Sequence, residues 1–257
     1  ADPRAPASQR GRIYFLSPDW IISGVNTFTE SLVAELNSLG FDARILFTRG
    51  RFTKLPAVGG VLPNTPALFL QPETNHHQTV WERILKFFRD HEPCIVVPNY
   101  DFNAGAVVPA LPSHIGVVGI AHSDDGDHYE HSLRLGLWYN RIVAVAEHVR
   151  RRLLEFNGSL AAKTSTIHYG VSEAKANANA LWEKKFSQTD GHLELVYAGR
   201  FVRTQKRIDR YVELARNLKE AGVPFRMTLI GDGVDMAWVQ QRLGSLIVSG
   251  EVELTGR

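Results

Sequence analysis

The chain has 257 residues, 44% of them apolar, with 29 Lys plus Arg against 27 Asp plus Glu. That composition excludes a disordered chain, the near-neutral balance excludes a whole-protein polycation for nucleic acid, and the length allows one to two domains of about 150 residues. A single cysteine, Cys94, excludes an internal disulfide and suggests a cytoplasmic protein, while every apolar run falls far short of the ~20 residues that span a bilayer.

From Arg12 onward, short β-rich runs alternate with amphipathic stretches. Ile13 to Leu16 is predicted as a buried strand, followed by a helix carrying Phe28, Leu32, Val33, Leu36 and Leu39 at helical spacing and stopped by Gly40. Ala43 to Phe47 is a second strand, and residues 49–66, with three Pro and three Gly, a surface loop. The alternation resumes with a helix at 80–89, a strand at 94–97, a short helix at 104–111 and a strand at 116–120. A loop is expected over 123–135, then a strand at 141–145, a helix at 147–156 and a strand at 165–167. Such βαβα repetition predicts a parallel sheet covered by helices on both faces. Residues 173–190 are polar and Ala- and Asn-rich, and are expected to form an interdomain linker. A fresh unit then begins, with strands at 193–197, 225–230 and 252–254 and helices at 208–221 and 236–243.

Several segments carry chemistry. Ser23, Gly24 and Val25 sit between the first strand and the first helix, where helix N–H groups suit a phosphate and a glycine admits close approach. The plainer reading is a helix cap at Asn26 or Thr27. Arg200 stands directly after a strand and Lys206 just before a helix, a natural pair for a diphosphate, with a solvated basic loop as the alternative. Gly231 and Gly233 follow another strand in a tight turn, serving backbone geometry first and ligand contact second. His122, at the end of a strand, is placed either to hydrogen-bond a substrate hydroxyl or to serve structure. Asp125-Gly126-Asp127 has the form of a metal-diphosphate motif and equally of an ordinary acidic turn, while His122, His128 and His131 lack zinc-site spacing. Arg150, Arg151 and Arg152 read as a solvated helix end or as a weak peripheral contact with an anionic membrane.

In this order the segments resemble the retaining glycosyltransferases of the GT-B fold, family four, over nearly the whole chain from Arg12. The resemblance is carried by SGVNTFTESLVAELNSLGFDARIL at 23–46, Ala121-His122, RIVAVAEHVRRRL at 141–153, IHYGV at 167–171, AGRFVRTQKRID at 198–209 and LIGDG at 229–233. It implies an α/β protein with a complete N-terminal Rossmann-like domain at 11–172 and a partial C-terminal one at 191–257, the two facing across a cleft. The implied substrates are a nucleoside-diphosphate-sugar donor and a sugar, lipid or other small acceptor, with no metal cofactor. Arg200 and Lys206 would then bind the diphosphate as catalytic cations, Ser23, Gly24, Val25 and Gly231 would line the substrate, and His122 would contact the donor sugar.

There are departures from the family pattern. Ser23-Gly24 stands where the family has a glycine pair, Lys206-Arg207 where it has K-G, and Gly170-Val171-Ser172 where it has G-V-D. The sequence stops at Thr255-Gly256-Arg257, before the family's nucleobase loop and E-x7-E pair, so a C-terminal truncation with little transferase activity is expected. The alternative function is a non-catalytic nucleotide- or phosphosugar-binding module. An NAD-dependent oxidoreductase is disfavoured, because no strand-to-helix turn has the three-glycine pattern.

Overall fold

Strand β1 (Arg12–Ser17) sorts the first half of the molecule into layers, because successive side chains leave its two faces. Ile13 and Phe15 pack with Val33, Ala43, Ile45 and Phe47 beneath α1 (Gly24–Ser38), whereas Tyr14 and Leu16 pack with Ile84, Phe88 and Val96 on the opposite side. The computed structural model describes residues 11–18, 23–48, 65–70, 76–170 and 191–256. The chain divides into two units, residues 1–171 and 172–257.

In the first unit the strands run in the order β3-β2-β1-β4-β5-β6-β7, all parallel. The strands after β1 are β2 (Asp42–Phe47), β3 (Ala67–Phe69), β4 (Cys94–Val97), β5 (Gly116–Ala121), β6 (Arg141–Ala144) and β7 (Thr164–Thr166). Helices α2 (His77–Asp90), α3 (Phe102–Val107), α4 (Gly126–Leu135) and α5 (Glu147–Phe156) complete the layers. The chain moves outward from β1 to β3 and then returns to lay β4 on the other side of β1. The β1/β4 junction is therefore the topological switch point, where parallel sheets open a crevice at their strand C-terminal ends.

The structure differs from the sequence reading in several places. The first helix begins at Gly24, capped by Ser23, whose hydroxyl accepts from the Asn26 N–H at 3.2 Å; the cap is neither Asn26 nor Thr27. Residues 126–135, expected as loop, form α4, started by Asp125 accepting from the His128 N–H at 3.2 Å. Pro66 ends the predicted loop and leads into β3, whose three residues pair with Ile45, Leu46 and Phe47. Residues 1–10, most of the predicted 49–66 loop, the 173–190 linker and the Val171-Ser172 end of the G-V-D-like segment lie outside the described residues.

The second unit has a parallel sheet β10-β9-β8, built from β8 (Leu193–Ala198), β9 (Phe225–Ile230) and β10 (Val252–Gly256). A one-turn helix, α6 (Arg203–Lys206), runs into α7 (Ile208–Glu220), and α8 (Met236–Val248) follows β9. One core joins Tyr197, Phe201, Ile208, Val212, Met227, Leu229, Val239, Leu243 and Val252, so α7 and α8 share one face of the sheet. On the other face Val196 remains 63% exposed.

Candidate functional site

In each unit the sequence-predicted residues follow strands or stand at helix ends. In the first, β5 delivers His122 to the edge beside the switch point, and the imidazole is buried at 7% exposure. Its two ring nitrogens are both engaged. Nε2 meets the Asn99 side-chain oxygen at 3.1 Å and Nδ1 meets the Tyr169 hydroxyl at 2.6 Å. Asn99 follows β4, is itself buried, and donates its amide N–H to the Leu16 carbonyl of β1 at 3.0 Å. It holds φ at +49°, a left-handed conformation that asparagine tolerates better than most residues. Three strand ends around the switch point are thereby tied together by one amide and one imidazole.

Aromatic rings wall this cluster. Phe28 of α1 stacks on Tyr169 at 4.4 Å between centroids and stands edge-on to His122 at 5.6 Å. His128 of α4 lies 5.8 Å from the His122 ring and 5.8 Å from Tyr100. Burial, with the nearby charge of His128 second, pushes the His122 pKa down to about 3, so the ring is neutral at physiological pH. Burial also lowers the His128 pKa, against the opposing pull of Asp125 and Asp127.

Ser23 caps α1, and Gly24 and Val25 begin its first turn. The Ser23 cap serves Asn26, which leaves the N–H groups of Gly24 and Val25 without an intrahelical acceptor. A Cβ added at Gly24 would meet nothing within 4 Å among the described residues, so the space beside it is open.

Two carboxylates of the acidic turn serve local structure. Asp125 caps α4, while Asp124 accepts from the Tyr129 hydroxyl at 2.7 Å and pairs with His148 Nε2 at 2.8 Å. Among the described residues no three His, Cys, Asp or Glu side chains gather as metal ligands would. Of the arginine run, Arg150 pairs with Glu147 at 3.2 Å, and Arg152 pairs with Glu155 at 2.8 Å while lying over the Phe156 ring. No helix among the described residues is long and apolar enough to cross a membrane.

In the second unit, Arg200 follows β8 and is exposed, its guanidinium donating to the Gln205 side-chain oxygen at 2.7 Å. Lys206 closes α6 and is also exposed. Neither has a carboxylate partner among the described residues, whereas Arg203 is held by Asp235 at 2.7 Å and Arg207 by Asp209 at 2.9 Å. The Arg203 pairing, first its backbone N–H and then its side chain, also lowers the Asp235 pKa. Gly231 serves the turn directly: its φ is +142°, a Cβ there would lie 1.9 Å from the Gly199 carbonyl oxygen, and its N–H donates to the Gly256 carbonyl at 2.7 Å. At Gly233 a Cβ would lie 2.4 Å from the Phe201 carbonyl oxygen. The glycines of LIGDG therefore let two strand-end turns pack backbone to backbone.

Sequence reasoning selected His122 but missed Asn99 and Tyr169. The turn-forming Pro98-Asn99 step after the Cys94–Val97 strand was the available signal for the first.

The profile of Glycosyltransferase Family 4 matches residues 22–175. No curated protein sequence matches the chain. Among solved structures, the apo form of the lipopolysaccharide outer core galactosyltransferase WaaB is similar at a TM-score of 0.66 and 15% identity, over 95% of this chain and 68% of that one. Anabaena Alr3699/HepE, crystallised with UDP, is similar at 0.65 and 12% identity, over 95% and 69%. TarM is similar at 0.72 and 10% identity, over 100% and 78%. These structural likenesses establish the fold, which is that of the GT-B glycosyltransferases.

Proposed function

The chain belongs to Glycosyltransferase Family 4, and on that premise we propose that it moves a sugar from a nucleoside-diphosphate-sugar donor to an acceptor, with retention at the anomeric carbon. The observation that carries this reading is the contrast among the cations after β8. Arg203 and Arg207 are neutralised by Asp235 and Asp209, while Arg200 and Lys206 stand exposed with no carboxylate partner among the described residues.

In the proposed reaction the bond from the anomeric carbon to the diphosphate oxygen breaks and its electrons leave with the diphosphate. The charge that accumulates there is what Arg200 and Lys206 would stabilise, and fixed donors aimed at developing charge typically supply on the order of 10²–10³ in rate each. In the first unit, the neutral His122 imidazole is suited to a sugar hydroxyl and poorly suited to a phosphate oxygen, since it carries no charge at neutral pH. HepE was crystallised with UDP, which makes UDP the first nucleotide to try.

Calorimetric titration with UDP, ADP and GDP tests the reading. At least one should bind, and Arg200→Ala and Lys206→Ala should each weaken that binding about tenfold or more, as loss of a charge-assisted hydrogen bond of roughly 1.5–3 kcal/mol implies. Equal affinities in wild type and both variants would refute the assignment.

A further inference from the structure

The hydrogen bonds around His122 determine more than its position. The Asn99 N–H must face the Leu16 carbonyl, because the opposite orientation would set two oxygens against each other. The Asn99 oxygen therefore faces His122, and an amide oxygen only accepts, so Nε2 must carry the ring proton. In a neutral imidazole Nδ1 is then a bare acceptor, and the Tyr169 hydroxyl, 2.6 Å away, must be the donor. The chain of donation runs in one direction, from Tyr169 to His122 to Asn99 to the Leu16 carbonyl. Two of its members, Asn99 and His122, are buried at 4% and 7% exposure, so reversing it would strand a buried proton or lone pair. Tyr169 alone is half-buried, held by its ring against Phe28.

We propose that Tyr169 is an internal stand-in for substrate. Its hydroxyl occupies the Nδ1 acceptor of His122, Asn99 is the positioning residue that makes Nδ1 an acceptor, and a ligand hydroxyl that hydrogen-bonds His122 does so by displacing the Tyr169 hydroxyl. The exchange step rests on the donor-sugar reading given above, whereas the wiring in the empty protein does not. One consequence is selectivity for chemistry. A hydroxyl can replace Tyr169, but a carbonyl or phosphate oxygen offers no proton to the bare nitrogen. A second is that the Tyr169 hydroxyl holds affinity down, since each ligand hydrogen bond gained at Nδ1 is offset by one lost.

The test uses the whole chain labelled with ¹⁵N at histidine, with His122 signals identified by their loss in His122→Gln. Long-range proton–nitrogen correlation spectra should show Nε2 as protonated, pyrrole-type nitrogen and Nδ1 as hydrogen-bonded, pyridine-type nitrogen. Tyr169→Phe keeps the ring against Phe28 and removes only the hydroxyl. It should leave the tautomer unchanged and shift Nδ1 toward the value of a free acceptor. Asn99→Gly, which preserves the left-handed backbone, should yield a mixture of tautomers. A protonated Nδ1 in the wild type, an Nδ1 shift unmoved by Tyr169→Phe, or a single Nε2–H tautomer in Asn99→Gly would each overturn the proposal.

Titration with UDP-glucose and UDP examines the exchange. Tyr169→Phe should bind UDP-glucose about two- to tenfold more tightly than wild type, the worth of one net hydrogen bond, and UDP equally well. If UDP-glucose binds both proteins with equal affinity, displacement is overturned. If the spectra agree but no nucleoside diphosphate or its sugar binds, the glycosyl-donor reading fails and the wiring stands.

Discussion

The neutral, buried imidazole of His122 makes a definite statement about stability and pH. In the unfolded chain a histidine takes up its proton near pH 6.5, whereas in the fold this ring stays neutral down to about 3. Between those values the unfolded state binds one more proton than the folded state, so stability drains away as pH falls below 6.5. Above 6.5 both states are neutral and the term vanishes. Each pH unit in the window costs about 1.4 kcal/mol, so lowering the pH from 7.0 to 4.5 should remove about 2.7 kcal/mol through His122 alone. That figure is set by the unfolded value, because at pH 4.5 the folded ring has not begun to titrate.

His122→Gln cannot titrate, and its fixed cost in lost contacts is the same at both pH values. Urea unfolding followed by far-UV circular dichroism at pH 7.0 and 4.5 should therefore show the wild type losing about 2.7 kcal/mol more than the variant. His131, whose pKa burial pushes down to about 4, loses stability over the same window in both proteins and cancels. Equal losses in the two proteins, within ~0.5 kcal/mol, would refute the buried neutral imidazole and with it the acceptor role argued for Nδ1.

Three further outcomes follow from packing and capping. Gly231→Ala drives a Cβ to 1.9 Å from the Gly199 oxygen at a φ of +142°. Strain and clash together should destabilise the second unit by upwards of ~3 kcal/mol, visible as a lowered urea midpoint of the second unit's transition. Ser23→Ala removes the hydroxyl that accepts from Asn26, and should cost about 1 kcal/mol in the same assay applied to the first unit. Phe88, fully buried in the cluster with Tyr14, Leu16 and Ile84, should cost about 3–5 kcal/mol when replaced by Ala.

What the sequence disclosed and what it concealed divide along physical lines. Strands β1, β2, β4 and β5 are buried in a parallel sheet and so read as short apolar runs, which made them legible. Strand β3 has three residues and exists only because Ile45, Leu46 and Phe47 are there to pair with it, a tertiary cause with little local signal. Helix α4 packs Tyr129, Leu133 and Leu135 on the core, a short apolar face among polar and charged residues, and its start signal, Asp125, was read as part of an acidic turn. At the site, His122 could be placed because it follows a strand. Its partners lie 23 and 47 residues away, Asn99 brought beside it by the pairing of β4 with β5 and Tyr169 by the segment that follows the edge strand β7.

Departures from a family's motif need not be departures in backbone, and Arg207 shows why. It stands where the resemblance expects glycine, yet it adopts φ +51° and ψ +40°, the left-handed conformation for which glycine is suited. A side chain in that region costs roughly 1–2 kcal/mol, and the pair with Asp209 two residues on ties the guanidinium at the junction. Arg207 thus forms the junction between α6 and α7 in this chain, and Lys206 is the last residue of α6. The requirement at this position is a backbone geometry, which glycine meets without strain and arginine meets with it. The same distinction separates Gly231 from Gly24. The first is required by its own fold, because any side chain there strikes a carbonyl, whereas the second faces open space that packing among the described residues does not explain. If Gly24 contacts the nucleotide as proposed, Gly24→Ala, which meets nothing within 4 Å among the described residues, should fold normally while weakening nucleotide binding.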